Sequence, residues 1–319
     1  MIIRIPNCKR KVKILMDFKS IVKKGQQNKA YRILLTGVEK IGKSTFGSKA
    51  PKPLFLCSET GLTGVEFEDT PNITIPSWSF LKDVVTSLKK DQEGYETIVI
   101  DTVDWMEEKM TDHILAFHNK QDIADFGHGK GYILVADEWR SFLADLEQLW
   151  VKGINIVLLS HSHIRTFSNP VGEDYDRYEM KCSKKVGALT REWVDAVLFA
   201  KTEIYVNKDK SGKTKAVSDG SRVIYTQPSP AWEAGNRYSL PPVLPLDWSA
   251  LVDEIKNAHS KKAADDLYAE IATFISTITT DEMAEEKIVG AGKALERDKG
   301  NAAALRLLKN KLVESVNRK

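Results

Sequence analysis

The sequence predicts an α/β fold in which helices cover a mostly parallel central sheet, with antiparallel strands at the C-terminal edge of that sheet and a helical region after it. Three observations support this prediction. Short apolar segments, typical of strands that are buried on both faces, alternate with segments of helical periodicity through residue 160. A glycine-containing turn joins the first of these strands to a helix. After Pro245, apolar residues recur at helical spacing over long stretches.

Residues 1–30 form a predicted basic arm. Residues 1–50 contain thirteen Lys or Arg and two acidic residues, a net charge of +11, so the remainder of this +3 chain is net acidic. A cationic segment attracts polyanions by releasing their counterions, and a solvated arm without a dedicated partner would have the same composition. Short apolar pieces within the arm predict an edge strand and a short helix.

A phosphate-binding loop is the most specific motif in the chain. Residues 31–45 read YRILLTGVEKIGKST, in which a short apolar strand runs into GVEKIGKS, a full match to G-x-x-x-x-G-K-[ST]. Glycine lets backbone N–H groups approach phosphates closely, Lys43 reaches the β- and γ-phosphates, and the Ser44 hydroxyl ligates Mg²⁺. The predicted nucleotide-binding residues are Gly37, Val38, Glu39, Lys40, Ile41, Gly42, Lys43, Ser44 and Thr45. The motif therefore predicts a nucleoside triphosphate and Mg²⁺ as ligands.

The other predicted elements follow in chain order. The strands are 54–57, 97–100 and 155–160, and then 195–201, 203–206 and 222–226, the last two joined by the turn-rich NKDKSGKTK. The helices are a short one bounded by Pro51 and Pro53, then 77–90, 103 to about 117, and 133–151, whose aromatic stripe predicts core packing. Residues 118–131 and 164–186 are predicted loops.

The chain divides into a predicted arm (1–30), core (31–245) and helical C-terminal region (246–319). The apolar stripes of the last region are Leu267, Ile271, Phe274, Ile275 and Ile278, and then Leu305, Leu308 and Leu312. No apolar run approaches the ~18 residues of a membrane span, and the N-terminus lacks a signal-peptide core, so we expect a cytoplasmic protein without a membrane partner. The three cysteines lie far apart without a C-x-x-C pair, which argues against a disulfide framework or a zinc ribbon.

Polar residues follow the predicted parallel strands, at the edge where ligands of such sheets bind. Asp101 closes ETIVID and is the expected Walker B carboxylate, which holds Mg²⁺ opposite Ser44. Many P-loop ATPases place a catalytic Glu directly after this Asp, but Thr102 stands there. Glu59, after the preceding strand, is therefore the best-placed base for the attacking water, with a capping or surface Glu as the alternative.

His161 follows the strand 155–160. Its imidazole can donate a hydrogen bond to a γ-phosphate and so respond to its presence, whereas a turn histidine without a ligand is the alternative. A metal site built from His161, His163, His113 and His118 is disfavoured, because no carboxylate or cysteine falls at ligand spacing beside them.

Four segments together resemble the core of RecA-type ATPases, namely GVEKIGKS, FLCSE with Glu59, IVIDT with Asp101 and VLLSH with His161. In that family the catalytic Glu follows the second strand, Ser or Thr follows the Walker B Asp, and a polar sensor ends the next core strand. A more specific resemblance is to phage-encoded RecA-like AAA-domain nucleotide-binding proteins of the Sak type, and it rests on GKGYILVADEW (129–139), LTREWVDAVLFAK (189–201) and TQPSPAWEAGNRYSLP (226–241). It covers about residues 31–242. One departure is His161, where the RecA sensor is typically Gln.

The resemblance implies a RecA-like P-loop NTPase that hydrolyses ATP with Mg²⁺ and acts on single-stranded DNA in phage recombination, annealing or replication. It further implies a homo-oligomer, either ring or filament, with a single-strand-binding protein or an annealing protein as a possible partner. The loops 118–131 and 164–186 take the places of the RecA DNA-binding loops, and the implied DNA-binding residues are Arg165, Lys181, Lys184 and Lys185. Cations interleaved with aromatic rings suit single strands, but five basic and four acidic residues leave the second loop at only +1, as in an ordinary solvated loop.

ATPases of this kind complete their sites across a subunit interface with a cation that stabilises the transition state. Arg222, Arg237 and Lys201 are the candidates, and structural salt bridges explain each of them nearly as well. Two other functions stay open from the sequence. One is a P-loop kinase of a small molecule or nucleotide, although no arginine-rich lid is visible, and the other is a non-hydrolysing, nucleotide-gated adaptor whose helical tail docks a partner.

Overall fold

The computed structural model describes residues 30–59, 62, 64, 67–203, 205–208, 214–217, 220–278, 283 and 285–317. The basic arm, with its predicted strand and helix, lies outside the described residues apart from Ala30. In the described part of the chain, no helix is both long and apolar enough to cross a membrane.

Twelve strands and eight α-helices make up the described part. The strands are β1 (Arg32–Gly37), β2 (Pro53–Cys57), β3 (Asn72–Thr74), β4 (Thr97–Asp101), β5 (Asn155–Phe167), β6 (Tyr175–Met180), β7 (Ala196–Thr202), β8 (Tyr205–Lys208), β9 (Thr214–Val217), β10 (Arg222–Tyr225), β11 (Gly235–Asn236) and β12 (Val243–Pro245). The helices are α1 (Lys43–Ser48), α2 (Trp78–Lys90), α3 (Val103–Phe117), α4 (Lys130–Val151), α5 (Lys184–Trp193), α6 (Trp248–Thr277), α7 (Glu285–Arg297) and α8 (Ala302–Asn317).

The central sheet has the strand order β12-β10-β7-β1-β5-β4-β2-β3. The strand that carries the phosphate-binding loop, β1, lies between β5 and β7 and is parallel to both. The strands β2, β3 and β4 continue the parallel sheet on the β5 side. On the β7 side of β1, β10 pairs antiparallel with β7, and β12 pairs antiparallel with β10. The predicted α/β class, with a mostly parallel sheet and antiparallel C-terminal strands, is confirmed and is consistent with a RecA-like P-loop fold.

Each face of the sheet carries its own core, because successive side chains of a strand point to opposite faces. On β1, Leu34 belongs to the cluster formed with α2, α3 and α4, whereas Ile33 and Leu35 belong to the cluster formed with α1 and the start of α6. Trp139 and Phe142 of α4 are fully buried in the first cluster with ring centroids 5.4 Å apart. The prediction that this aromatic stripe packs in the core is confirmed.

The helical C-terminal region is confirmed, and its apolar stripes form a third cluster. In that cluster Ile271 of α6 packs with Leu295 of α7 and Leu305 of α8. The first turns of α6, with Trp248 and Leu251, still pack against the sheet. The single helix α6 therefore passes from the core of the sheet into the C-terminal bundle.

The structure corrects the predicted loop 164–186. Strand β5 continues past His161 to Phe167 and pairs antiparallel with β6, and α5 begins at Lys184. Only residues 168–174 form a turn, in which Asp174 accepts a hydrogen bond from the backbone N–H of Asn169 at 3.0 Å. The strand was missed because a hairpin that projects beyond the sheet has no wholly apolar run. We call β5 from Ser162 onward, its turn and β6 the β5–β6 hairpin.

A second correction concerns the turn-rich segment NKDKSGKTK. It links β8 to β9, which form a separate antiparallel pair, and it does not link β8 to β10. The short strand β9 has too few apolar residues to be recognised from its sequence. Residues 118–131 also contain a 3₁₀ turn at Ile123–Phe126, and α4 begins at Lys130, three residues earlier than predicted.

Candidate active site

A cavity of about 600 Å³ opens at the carboxyl ends of β1, β2, β4 and β5. This is the edge at which parallel α/β sheets bind their ligands. Its lining includes most of the phosphate-binding loop, together with Glu59, Asp101, Trp105, His161, Lys181 and Arg222. The structure thus brings together the predicted residues from four strand ends.

Two glycines of the loop are required by the geometry. Gly42 has φ of 108°, a conformation that residues with a Cβ rarely adopt, and a Cβ there would lie 2.8 Å from the Arg222 guanidinium. A Cβ at Gly37 would lie 2.9 Å from the carbonyl oxygen of Ala200 on β7. The loop is therefore packed tightly between β7 and the residues that line the cavity.

Lys43 lies under the loop, where its side chain is buried. Its ammonium donates to the carbonyl oxygens of Gly37 at 3.1 Å and Val38 at 2.9 Å. Burial lowers the pKa of Lys43, and the nearby carboxylates of Asp101 and Asp104 act in the opposite direction. The ammonium therefore lies beneath the loop, where the motif predicts that it contacts the β- and γ-phosphates.

Ser44 and Asp101 meet where Mg²⁺ is expected. The Ser44 hydroxyl donates to Oδ2 of Asp101 at 2.6 Å. Burial raises the pKa of Asp101, and the Ser44 hydrogen bond and the Lys43 charge oppose that effect. Two oxygen donors from the protein, with phosphate oxygens and water completing the octahedron, are the ligand set that Mg²⁺ usually takes. The residues present therefore fit the predicted metal.

Glu59 directly follows Ser58, whose side chain is bonded to the backbone at Asp101 and Thr102. Ser58 Oγ donates to the carbonyl of Asp101 at 3.0 Å and accepts from the N–H of Thr102 at 2.9 Å. The Glu59 side chain is exposed and lines the cavity. A carboxylate here can act on a water molecule that attacks a phosphate from the cavity side.

His161 is held by a residue that sequence reasoning missed. Nδ1 of His161 lies 2.8 Å from Oδ2 of Asp104, and Oδ1 of Asp104 accepts from the His161 N–H at 3.0 Å and from Ser160 Oγ at 3.2 Å. Burial alone would raise the pKa of Asp104, but the hydrogen bonds from His161 lower it below its ordinary value. Because the carboxylate takes Nδ1, Nε2 is the ring nitrogen that remains for a ligand.

The sequence offered only a weak signal for Asp104. It lies in the first turn of α3, where an acidic residue is common because it complements the helix dipole. Its position in the first turn of the helix that follows the Walker B strand, close to the ligand edge of the sheet, was the available clue.

The candidate cations separate in the structure. Arg222 lies beside the phosphate-binding loop of its own chain, where its Nη1 donates to the Ile41 carbonyl at 3.2 Å. It was expected to act across an interface, and this geometry places it within the chain's own cavity. Nη1 of Arg237 instead donates to Oδ1 of Asp195 at 3.0 Å. Asp195 directly precedes β7, so this contact lies at the amino ends of the parallel strands, whereas the cavity lies at their carboxyl ends. Arg237 and Lys201 do not line this cavity.

The predicted DNA-binding residues also separate. Arg165 lies 3.6 Å from Glu179 in an ion pair across the β5–β6 hairpin. Lys184 and Lys185 are exposed in the first turn of α5. Lys181 lines the nucleotide cavity. These residues occupy three different environments around the hairpin.

A family model and a curated relative each match part of this chain. A family model described as an AAA domain matches residues 29–238. A curated relative is the SPbeta prophage-derived uncharacterized protein YorG of Bacillus subtilis strain 168, which is 27% identical over 154 residues. The match covers 45% of this chain and 44% of the relative, so the chain spans less than half of that protein's length. Because the family model matches well over half of its residues, the chain belongs to the AAA domain family.

Proposed function

We propose that this protein is a Mg²⁺-dependent ATPase that acts on single-stranded DNA in phage recombination, annealing or replication. The AAA domain implies an ATPase-type nucleotide-binding protein. The observation that carries the step to hydrolysis is the convergence of Lys43, the Ser44–Asp101 pair and Glu59 on one cavity. An ATPase needs a phosphate cradle, a metal site and a group that acts on water, and these residues supply all three.

The residues have separate roles in this proposal. Lys43 and the backbone N–H groups of the loop bind the β- and γ-phosphates. His161, in the form that carries a proton on both ring nitrogens, donates from Nδ1 to Asp104 and from Nε2 to the γ-phosphate. Ser44 and Asp101 would hold Mg²⁺, which would supply positive charge to neutralise the charge that develops on the phosphates. Glu59 takes a proton from a water molecule while the oxygen of that water bonds to the γ-phosphorus. The bond from the γ-phosphorus to the β–γ bridging oxygen breaks, and ADP and phosphate leave.

The proposed DNA contact uses the β5–β6 hairpin and the start of α5. Lys184 and Lys185 are exposed there, and the rings of Phe167 and Tyr175 lie 5.2 Å apart on the hairpin. Cations beside aromatic rings are suited to a single strand. The prophage origin of the relative supports a phage setting, which would place the protein in the cytoplasm of a host cell. We further propose a homo-oligomer that works with a single-strand-binding protein or an annealing protein.

Phosphate release tests the proposal, measured with and without single-stranded DNA for wild type, Glu59→Gln and Glu68→Gln. Glu68 is exposed and does not line the cavity, so its variant controls for the loss of one surface carboxylate. We expect hydrolysis that DNA stimulates, that Glu59→Gln abolishes and that Glu68→Gln leaves intact. DNA-insensitive turnover that requires a small acceptor would replace the proposal with a kinase. Nucleotide binding without turnover would replace it with an adaptor.

A further inference from the structure

Lys181 stands beside the nucleotide cavity, although its sequence context suggests a DNA contact. It follows directly after β6, and its backbone N–H donates to the carbonyl of His161 at 2.8 Å. The N–H of His161 bonds Asp104, and the N–H and C=O of one strand residue point to the same side. Lys181 and Asp104 therefore lie on the same side of β5, which is the side of β4 and Asp101.

The position of Lys181 relative to the phosphate-binding loop follows from the strand register. His161 on β5 is paired with Gly37 on β1, which is the first glycine of the loop. Lys181 is bonded to the side of His161 that faces away from β1. Arg222 lies on the opposite side of the loop, at the start of β10. Ser44 and Asp101, which would hold Mg²⁺, lie on the Lys181 side, so the terminal phosphate would lie on that side as well.

The side chain of Lys181 is exposed and available for a ligand. Its ammonium lies 5.9 Å from the centre of the Trp105 ring, which also lines the cavity. Within the part of the chain that the structure describes, no carboxylate lies within 4.0 Å of this ammonium. Glu39 of the loop lines the same cavity as Lys181; a hydrogen bond with its own backbone lowers the pKa of Glu39, and the charges of Lys43 and Lys181 act in the same direction.

We propose that Lys181 contacts the terminal phosphate of a bound nucleoside triphosphate and thereby gives the site a preference for triphosphate over diphosphate. The inference rests on the nucleotide site of the proposed function. A diphosphate has no group at this place, so only the triphosphate gains the contact. A charge-assisted hydrogen bond of this kind corresponds to a change of about tenfold in affinity.

The test is the affinity for ATP and for ADP, each with Mg²⁺, measured by displacement of a fluorescent nucleotide. The variants are Lys181→Ala, Lys181→Arg and Lys90→Ala, the last being an exposed lysine at the end of α2 that does not line the cavity. We expect Lys181→Ala to weaken ATP binding about tenfold with ADP binding unchanged. Lys181→Arg should keep most of the preference, because it retains the positive charge. Lys90→Ala should behave as wild type.

Two outcomes would overturn the inference. Equal losses of ATP and ADP affinity would mean that Lys181 merely supports the cavity. An unchanged ATP-to-ADP ratio with weaker binding of single-stranded DNA would assign Lys181 to DNA. Wild-type protein that binds both nucleotides but releases no phosphate would contradict the proposed ATPase, and the comparison of ATP with ADP would still decide the role of Lys181.

Discussion

Replacing Asp104 with asparagine is expected to lower the free energy of unfolding by about 2 kcal/mol, the scale of one hydrogen bond to a charged group. The carboxylate is only 5% exposed and accepts three hydrogen bonds, two at Oδ1 and one at Oδ2. Asparagine can keep the pair at Oδ1. At the place of Oδ2 it presents an N–H₂ donor to Nδ1 of His161, so the shortest contact is lost or requires the other tautomer of the ring.

Urea unfolding of wild type and Asp104→Asn at pH 7 measures this difference. Because the pKa of Asp104 is lower in the folded protein than its ordinary value, its contribution is fully present above about pH 3.9, the pKa expected in the unfolded chain. The contribution is lost as the pH falls through the lower folded pKa, so the two proteins should converge in stability in strong acid. Asp112→Asn, at an exposed position of the same helix α3, is the matched control. A stability of Asp104→Asn equal to that of the control would refute the reasoning.

Three further predictions follow from the same site. Gly42→Ala should weaken nucleotide binding and lower the free energy of unfolding by about 1–3 kcal/mol. The control is Gly94→Ala, because Gly94 has a φ of 80° and no atom lies near the added Cβ; it should lower stability without affecting nucleotide binding. Unfolding and nucleotide-binding measurements on both variants test this. Burial raises the pKa of Asp101, so this carboxylate should become protonated, and Mg²⁺ affinity should fall, at a higher pH than for an ordinary aspartate. Mg²⁺ titrations of the nucleotide complex at decreasing pH should show this fall. A metal affinity that stayed constant down to about pH 4 would contradict the prediction. Replacing both Lys184 and Lys185 with alanine should reduce the salt dependence of single-stranded DNA binding by about 1.4 in the log–log slope, and an unchanged slope would remove both residues from the DNA contact.

Much of the fold could be predicted because the parallel strands carry their signal locally. The wholly apolar segments 33–35, 54–57 and 98–100 can be buried only between two layers of helices. The polar residues that follow them, Thr36, Ser58 and Asp101, mark the edge of the sheet where ligands bind. The Walker pattern further predicted that Ser44 and Asp101 would meet, which the structure shows at 2.6 Å. These expectations depend on short motifs and not on distant contacts.

Other features of the site depend on contacts between distant segments, which the sequence does not display. Asp104 resembles an ordinary helix-terminal acid until β5 brings His161 within 2.8 Å of it. Arg222 reaches the loop only because β10 pairs with β7 on one side of β1. The residues of the β5–β6 hairpin are mostly polar and lie outside the packed sheet, so their composition was that of a loop. In each case the partner lies more than 50 residues away or outside the apolar core.

The helix α6 has a mechanical consequence for the C-terminal bundle. Its first residue, Trp248, packs against Phe46 of α1 with ring centroids 5.5 Å apart, and α1 directly follows the phosphate-binding loop. At 30 residues the helix is about 45 Å long, so a tilt of about 5° at this end would displace the other end by about 4 Å. A tilt transmitted from α1 would therefore displace the far end of α6, and the three-helix bundle there, more than the residues around the phosphate-binding loop.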